Sequence, residues 1–216
     1  MNFLITAGGT REYIDPVRFI SNASSGRMGY ALAKAALKAG HKVTLITAPT
    51  ALRPPAGAKI LEAESAAEMF AAVKKRFNRC DCMIMAAAVS DYTPAHPATK
   101  KIKKHNRSIT LKLKPTDDIL KWAGRHKKKS QIVVGFALED KNIRSGAQIK
   151  LKQKCLDMII ANRAETIGSV TASVEVKRAG GKWLKLPPAD KTIIAKKIIA
   201  LAEDVTRSNA AAAKKG

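Results

Sequence analysis

Short apolar runs rich in β-branched residues alternate along the chain with stretches whose apolar positions recur at helical spacing, which predicts a parallel sheet covered by helices. Residues 2–6 read as the first strand. From Gly26 to Lys38, Met28, Leu32, Ala35, Ala36 and Leu37 mark one face of a first helix, and Ala39-Gly40 supplies its stop. Lys42 to Thr47 is a second strand, and a Pro- and Ala-rich loop then leads to a short strand near Lys59 to Leu61. Ser65 opens the next helix, with Glu68 three residues on as a capping box. Met83 to Ala88 is a fourth strand, ending at Ser90-Asp91.

The middle of the chain breaks the alternation. Residues 92–107 hold Pro94, Pro97 and a lysine cluster with little apolar content, the composition of a mobile loop. Ile109 to Leu113 alternates as a strand would, Asp117 to Ala123 is helical, and Gln131 to Phe136 is a buried strand. Helical spacing resumes from about Lys141 to Lys154, and Leu156 to Ala161 follows as a strand. Ser173 to Val176 and Lys182 to Leu184 flank Ala179-Gly180-Gly181 as a hairpin, and a last helix covers about Ala189 to Asp204. The pattern predicts a Rossmann-like open, mostly parallel α/β sheet with helices on both faces and a small hairpin and flap insertion. A single domain over residues 1–206 is expected, with a disordered tail at 207–216.

Composition narrows this picture. With 216 residues, 46% of them hydrophobic, the chain suffices for one good core. Met1 to Thr6 is apolar without a basic leader and meets Gly8-Gly9, and no apolar run approaches the ~20 residues of a membrane span, so a cytoplasmic protein with no membrane partner is expected. Cys80, Cys82 and Cys155 are too few and too badly spaced for zinc, and Cys82 sits in an apolar run. Lys and Arg number 40 against 17 Asp and Glu, a formal charge of +23. That excess keeps a basic nucleic-acid-binding module as a rival. Aromatics at 5% supply no stacking platform, and an electropositive field equally attracts phosphorylated small molecules.

Open sheets of this kind bind ligands beyond the carboxyl ends of their strands. The first such segment is Thr6-Ala7-Gly8-Gly9-Thr10-Arg11-Glu12, where Gly8 and Gly9 let backbone amides approach a phosphate; a tight turn would use the same pair. The second, Ser21-Asn22-Ala23-Ser24-Ser25-Gly26-Arg27-Met28-Gly29, opens the first helix with hydroxyls and glycines at its electropositive end. An ordinary N-cap by Ser24 or Ser25 would account for the serines but not for Asn22. In the third, Ala86-Ala87-Ala88-Val89-Ser90-Asp91-Tyr92, small residues leave room for a ring or ribose and Asp91 can accept hydrogen bonds. The fourth, Lys100-Lys101-Ile102-Lys103-Lys104, puts cations on a flexible segment able to close over phosphates, although such runs also occur as solvated loops. Neither a Gly-x-Gly-x-x-Gly turn nor an acidic residue ending the second strand is present, which argues against a second rival, a dinucleotide reductase.

These segments, in this order, resemble the phosphopantothenoylcysteine synthetase family. The likeness rests on Ile5 to Glu12, Ile14 to Asn22, Ser24-Ser25-Gly26, Met28-Gly29, Ala86 to Val89, Asp91-Tyr92 and Lys101 to Lys104, and then on Val134 to Ala137, Lys150 to Lys154, Asp157 and Ala161-Asn162. It covers nearly all of the chain to about residue 200. The resemblance implies that the carboxylate of 4′-phosphopantothenate attacks the α-phosphate of CTP, or of ATP in some members, and that L-cysteine then displaces the nucleoside monophosphate. It implies that Asn22 holds the acyl-nucleotide and that Lys101 assists over the phosphates. Asp91, Phe136, Lys150 and Lys154 would lie on the nucleotide, with Ala86 and Ala87 lining the base pocket and Asp118 and Ile119 in a further nucleotide loop. Mg2+ would be carried mainly by the nucleotide rather than by dedicated ligands. A homodimer is also implied, with the hairpin around Gly180-Gly181 at its interface.

Three departures from the family pattern accompany this. Thr116-Asp117-Asp118-Ile119 stands where members often show Asn-Pro-Asp-Ile. The chain begins directly at the first strand without a preceding flavin-dependent decarboxylase, so a stand-alone form served by a separate decarboxylase is expected. The positive charge is also unusually high for a small-molecule enzyme.

Overall fold

The computed structural model describes residues 1–104, 106–139, 142–163 and 171–213. Its elements are β1 (Asn2–Ala7), β2 (Arg11–Tyr13), β3 (Phe19–Ser21), α1 (Arg27–Lys38), β4 (Lys42–Thr47), β5 (Lys59–Glu62), α2 (Ala66–Phe77), β6 (Cys82–Met85), β7 (Tyr92–Pro94), β8 (Leu113–Pro115), α3 (Ile119–His126), β9 (Ile132–Glu139), α4 (Ile143–Gln153), β10 (Met158–Arg163), β11 (Thr171–Arg178), β12 (Trp183–Asp190) and α5 (Lys191–Ala213).

Among the described residues, eight strands form one sheet in the order β12-β11-β10-β9-β6-β1-β4-β5. From β10 to β5 every neighbour is parallel, and β11 and β12 add an antiparallel edge. The parallel strands are continuous apolar runs because both their faces are covered. On one face, Phe3, Ile5, Leu45, Ile84 and Val134 pack under α1 and α5 through Leu32, Ala33, Ile194 and Ile198. On the other, Leu4, Ile46, Met83, Val133 and Ile159 pack under α2, α3 and α4 through Met69, Phe77, Leu120 and Leu151. The Rossmann-like α/β fold, with helices on both faces, is therefore the one the sequence pattern predicts. Strand order reverses between β1 and β6, since the chain goes from β1 outward to β4 and β5 and returns to β6 on the far side. An open parallel sheet has its crevice beyond the strand ends at such a reversal, and here the loops leaving β1 and β6 are joined by a bridge between Gly9 and Ala88.

Several local expectations are corrected. The fourth predicted strand stops at Met85, because Ala86 to Ala88 leave the ladder. The Ala87 N–H donates to Thr6 Oγ1 at 3.1 Å, and Ala88 forms a single bridge to Gly9. Ile109 to Leu113 is not a strand: Ile109 and Leu111 stay exposed, and pairing begins only at Leu113, where β8 meets β7. The β2–β3 hairpin went unpredicted because strands of three residues carry too little alternation to read. Helix α4 begins at Ile143, and its expected start near Lys141 lies outside the described residues.

The last helix starts two residues later than expected because Ala189 and Asp190 still pair with β11. It then runs to Ala213 and so occupies most of the segment predicted to be disordered. Alanine has the highest helix propensity, and nothing in Ser208-Asn209-Ala210-Ala211-Ala212-Ala213 breaks a helix. Residues 214–216 lie outside the described residues. Among the described residues, no helix is long and apolar enough to cross a membrane.

Candidate functional site

The crevice at the strand-order reversal is a cleft of about 410 Å³. One wall comes from the segment entering α1, Asn22 to Met28, and the facing wall from Ala86 to Val89 and Asp91 after β6. Phe136 and Leu138 on β9, Lys150 on α4, Asn162 on β10, Ala172 on β11 and Lys191 at the start of α5 complete it.

The α1 wall is built by close backbone packing. Gly26 is the N-cap of α1 in the left-handed region (φ 75), and among the described residues no side chain caps the helix. Ser24 and Ser25 are thus in the cleft wall without acting as caps, and the electropositive end of the helix opens toward the cleft at Gly26. A Cβ on Gly26 would sit 3.3 Å from the Gly8 nitrogen, and one on Gly9 would sit 2.8 Å from the Asn22 carbonyl oxygen. Gly8 and Gly9 therefore stand behind the wall, where their bareness lets the Asn22–Gly26 segment lie flat on the β1 loop.

Asn22 bridges the two walls, its Nδ2 donating to the Ala88 carbonyl at 3.1 Å. Below it, Thr10 Oγ1 accepts from the Ser90 N–H at 3.0 Å, and the Ser21 hydroxyl donates to the Thr10 carbonyl at 2.8 Å. The buried Glu12 accepts the Ala66 N–H at 2.9 Å, tying the hairpin to the start of α2. These bonds set Asn22 and Asp91 in fixed relation across the opening.

Among the described residues, Arg27, Lys150 and Lys191 bring positive groups to the cleft. Burial, and secondarily the charge of Arg27, lowers the Lys191 ammonium below the ordinary lysine range.

Of the residues singled out from the sequence, Asn22, Ser24, Ser25, Gly26, Ala86, Ala87, Asp91, Phe136 and Lys150 share this cleft. Six do not line it. Gly8 and Gly9 are the supports already described. Lys154 forms an ion pair with Asp118 at 2.9 Å, and Asp118 caps α3 by accepting the Lys121 N–H at 2.9 Å. Ile119 is buried in the core beneath α3. Lys101 is exposed, on a segment without regular secondary structure that is held at Ile102 by the turn of the β2–β3 hairpin.

Sequence reasoning missed Arg27, Leu138, Asn162 and Lys191 as lining residues. Arg27 and Asn162 stand inside the Ser21 to Gly29 and Ala161-Asn162 motifs. Lys191 gave no signal, because its place depends on β12 ending one residue before it. Among the described residues no group of three or more His, Cys, Asp or Glu side chains gathers to hold a metal.

An open parallel sheet with its cleft at the strand-order reversal, the N-terminus of a helix on one wall and small residues on the other, defines a Rossmann-like α/β protein. Residues 1–205 match the family described as DFP, the DNA/pantothenate metabolism flavoprotein C-terminal domain. The chain belongs to that family.

Among its relatives, a cysteine/cysteine sulfinic acid decarboxylase of an unknown prokaryotic organism is 49% identical over 166 residues, 76% of this chain and 46% of that protein. The coenzyme A biosynthesis bifunctional protein CoaBC of Borreliella burgdorferi is 41% identical over 198 residues, 91% of this chain and 50% of that protein. The chain thus spans about half the length of these curated relatives. The solved structure of the C-terminal domain of coenzyme A biosynthesis bifunctional protein CoaBC superposes with a TM-score of 0.83 at 38% identity, over 96% of each chain.

Proposed function

We propose that the chain is a ligase of coenzyme A biosynthesis, joining 4′-phosphopantothenate to L-cysteine through an acyl-nucleotide formed from CTP or ATP. The observation that supports this most is the composition of the cleft: Asn22, the uncapped end of α1 and the Arg27, Lys150 and Lys191 cations surround one space at the switch point. In the first half-reaction the substrate carboxylate attacks the α-phosphorus of the nucleotide and pyrophosphate leaves. Lys150 and the helix end neutralise the phosphates, and Lys101 approaches from its loop as charge moves to the leaving group. In the second, the cysteine amine attacks the acyl carbon and the nucleoside monophosphate departs. Asn22 holds the mixed anhydride, and the apolar surface of Phe136 and Ala86 keeps water from it. No protein nucleophile is required. Magnesium would be held mainly by the nucleotide itself and would supply charge neutralisation at its phosphates.

The decarboxylase name of one relative belongs to a protein of which this chain covers 46%, and the reading does not extend to that chemistry. The protein is read as a cytoplasmic homodimer, by family likeness.

Pyrophosphate release measured with 4′-phosphopantothenate, each nucleotide and magnesium, with and without cysteine, tests the proposal. Release that requires the acid, and amide formation that requires cysteine, are the expected results. Asn22→Ala should abolish accumulation of the acyl-nucleotide, and Lys101→Ala should slow turnover in a folded protein. Absence of both anhydride and amide in the wild type overturns the reading.

A further inference from the structure

The turn between β2 and β3 holds a carboxylate in an unusual setting. Asp15 is 1% exposed in a small hairpin at the protein surface. Its Oδ1 accepts the N–H groups of Val17 and Arg18, both at 2.9 Å. Its Oδ2 accepts Arg18 Nε at 3.0 Å, Arg18 Nη2 at 2.6 Å and the Ile102 N–H at 3.1 Å. Arg18 Nη2 also donates to the Ile102 carbonyl at 2.6 Å, and the Ala98 N–H donates to the Ile14 carbonyl at 2.8 Å.

The bonds within residues 15–18 account for the turn by themselves. They do not account for Ile102, which lies 87 residues away in sequence and is gripped through its backbone. A pair that reads both the N–H and the C=O of one residue fixes the position and direction of the chain whatever its side chains are. The neighbour thus oriented is Lys101. On the other side of the same hairpin, β3 ends at Ser21 and delivers Asn22 to the cleft.

We propose that Asp15 is the positioning residue for the Lys101 segment: with Arg18 it grips the Ile102 backbone, so that Lys101 and Asn22 are carried on one rigid hairpin. Charge pairing makes this grip stronger than a neutral hydrogen bond. Its burial excludes competing water. The hairpin therefore gives an otherwise irregular lysine segment a fixed pivot beside the cleft. Misplacement of a reacting group by about 1 Å can cost on the order of a hundredfold in rate, so a pivot matters most for turnover and least for ground-state binding.

The kinetic part of the test rests on the ligase reading, and the structural part does not. Asp15→Asn keeps size and shape, but its single carbonyl oxygen is claimed by the Val17 and Arg18 amides, and its NH2 group cannot accept from Ile102. Hydrogen exchange of the Ile102 amide should accelerate by about tenfold or more in this variant, with exchange in β1 and β6 unchanged. In the ligase assay kcat should fall about tenfold while the nucleotide KM stays within about twofold, and Asp15→Glu should restore part of the loss. On a Lys101→Ala background Asp15→Asn should cost nothing further, because its effect passes through Lys101. Should Asp15→Asn fail to fold, Ile102→Pro removes the same N–H from the other side of the contact and is read against Lys101→Ala in the same way. An Ile102 amide equally protected with and without the carboxylate overturns the proposal, as does a full additive loss on the Lys101→Ala background. A wild type without ligase activity sinks the functional reading alone, and the exchange measurement then still decides whether Asp15 holds the segment.

Discussion

Gly29 lies against Ala7 so closely that a Cβ on the glycine would sit 2.5 Å from the Ala7 Cβ and 2.9 Å from the Thr6 carbonyl oxygen. This contact brings the first turn of α1 directly onto the end of β1 and sets how deep the α1 wall of the cleft lies. Neither partner has a flexible side chain that can yield.

Gly29→Ala should therefore push the helix off the strand. Helix propensity favours alanine by about 1 kcal/mol, but overpacking of this kind costs about 1–3 kcal/mol and backbone contact puts it at the upper end. A net loss of stability is expected in urea unfolding, together with weaker binding of any ligand seated at the end of α1. A variant as stable as the wild type would show that the two elements are free to separate.

Much of the fold was legible because parallel strands buried on both faces read as unbroken apolar runs, and α1, α2 and α3 carry clear amphipathic spacing. What escaped was set by contacts distant in sequence. The β2–β3 hairpin depends on Asp15 meeting Ile102 and on Glu12 meeting Ala66 across the chain, and the early end of β6 depends on the Thr6 hydroxyl taking the Ala87 N–H. Within the site, Asn22, the Ser24–Gly26 entry and Ala86-Ala87 were readable because strand-end loops announce themselves by composition. Lys150 and Lys154 looked equivalent because helical spacing puts both on one side of α4. Only the fold reveals that Asp118 claims one of them.

That difference separates two lysines four residues apart. Lys150 lines the cleft, whereas Lys154 is paired with Asp118 at 2.9 Å away from it. Lys150→Ala should raise the nucleotide KM about tenfold or more. Lys154→Ala should leave KM within about twofold and cost under about 1 kcal/mol of stability, the usual worth of a partly exposed ion pair. Titrating both variants with nucleotide checks this, and equal losses would refute the geometric distinction.

Acid should destabilise the hairpin before the sheet. Burial alone would raise the Asp15 carboxyl, but the Val17 and Ile102 N–H groups and the Arg18 guanidinium outweigh it and hold the group far below the ordinary aspartate range. Asp118 is shifted down as well, with burial opposed by the Lys121 N–H and Lys154. A carboxyl depressed in the folded state contributes stability that is fully present above its unfolded value of about 4, and that contribution is lost as pH falls through the folded value. Thermal stability should be level from neutrality to about pH 5 on this account and decline below about pH 4. Asp15→Asn should be less stable at neutral pH and show a shallower acid decline, the remainder coming from groups such as Asp118. Parallel acid curves for variant and wild type would show that Asp15 gains nothing from its partners on folding.

The three thiols should separate cleanly by reactivity. Burial, with Asp81 nearby, pushes the Cys80 thiol up to about 12, and burial drives Cys82 upward as well. Both therefore hold almost no thiolate near neutrality, and the thiolate is the reacting species. Cys155 is exposed, at a backbone φ of 54 just after α4. Native protein treated with a chromogenic disulfide at pH 8 should release about one equivalent of thiolate quickly, and denatured protein about three. Cys155→Ser should remove the fast equivalent and leave stability nearly unchanged, since no buried contact is lost. Rapid modification of Cys80 or Cys82 in the native state would mean that the β1–β6 core opens far more readily than its packing implies.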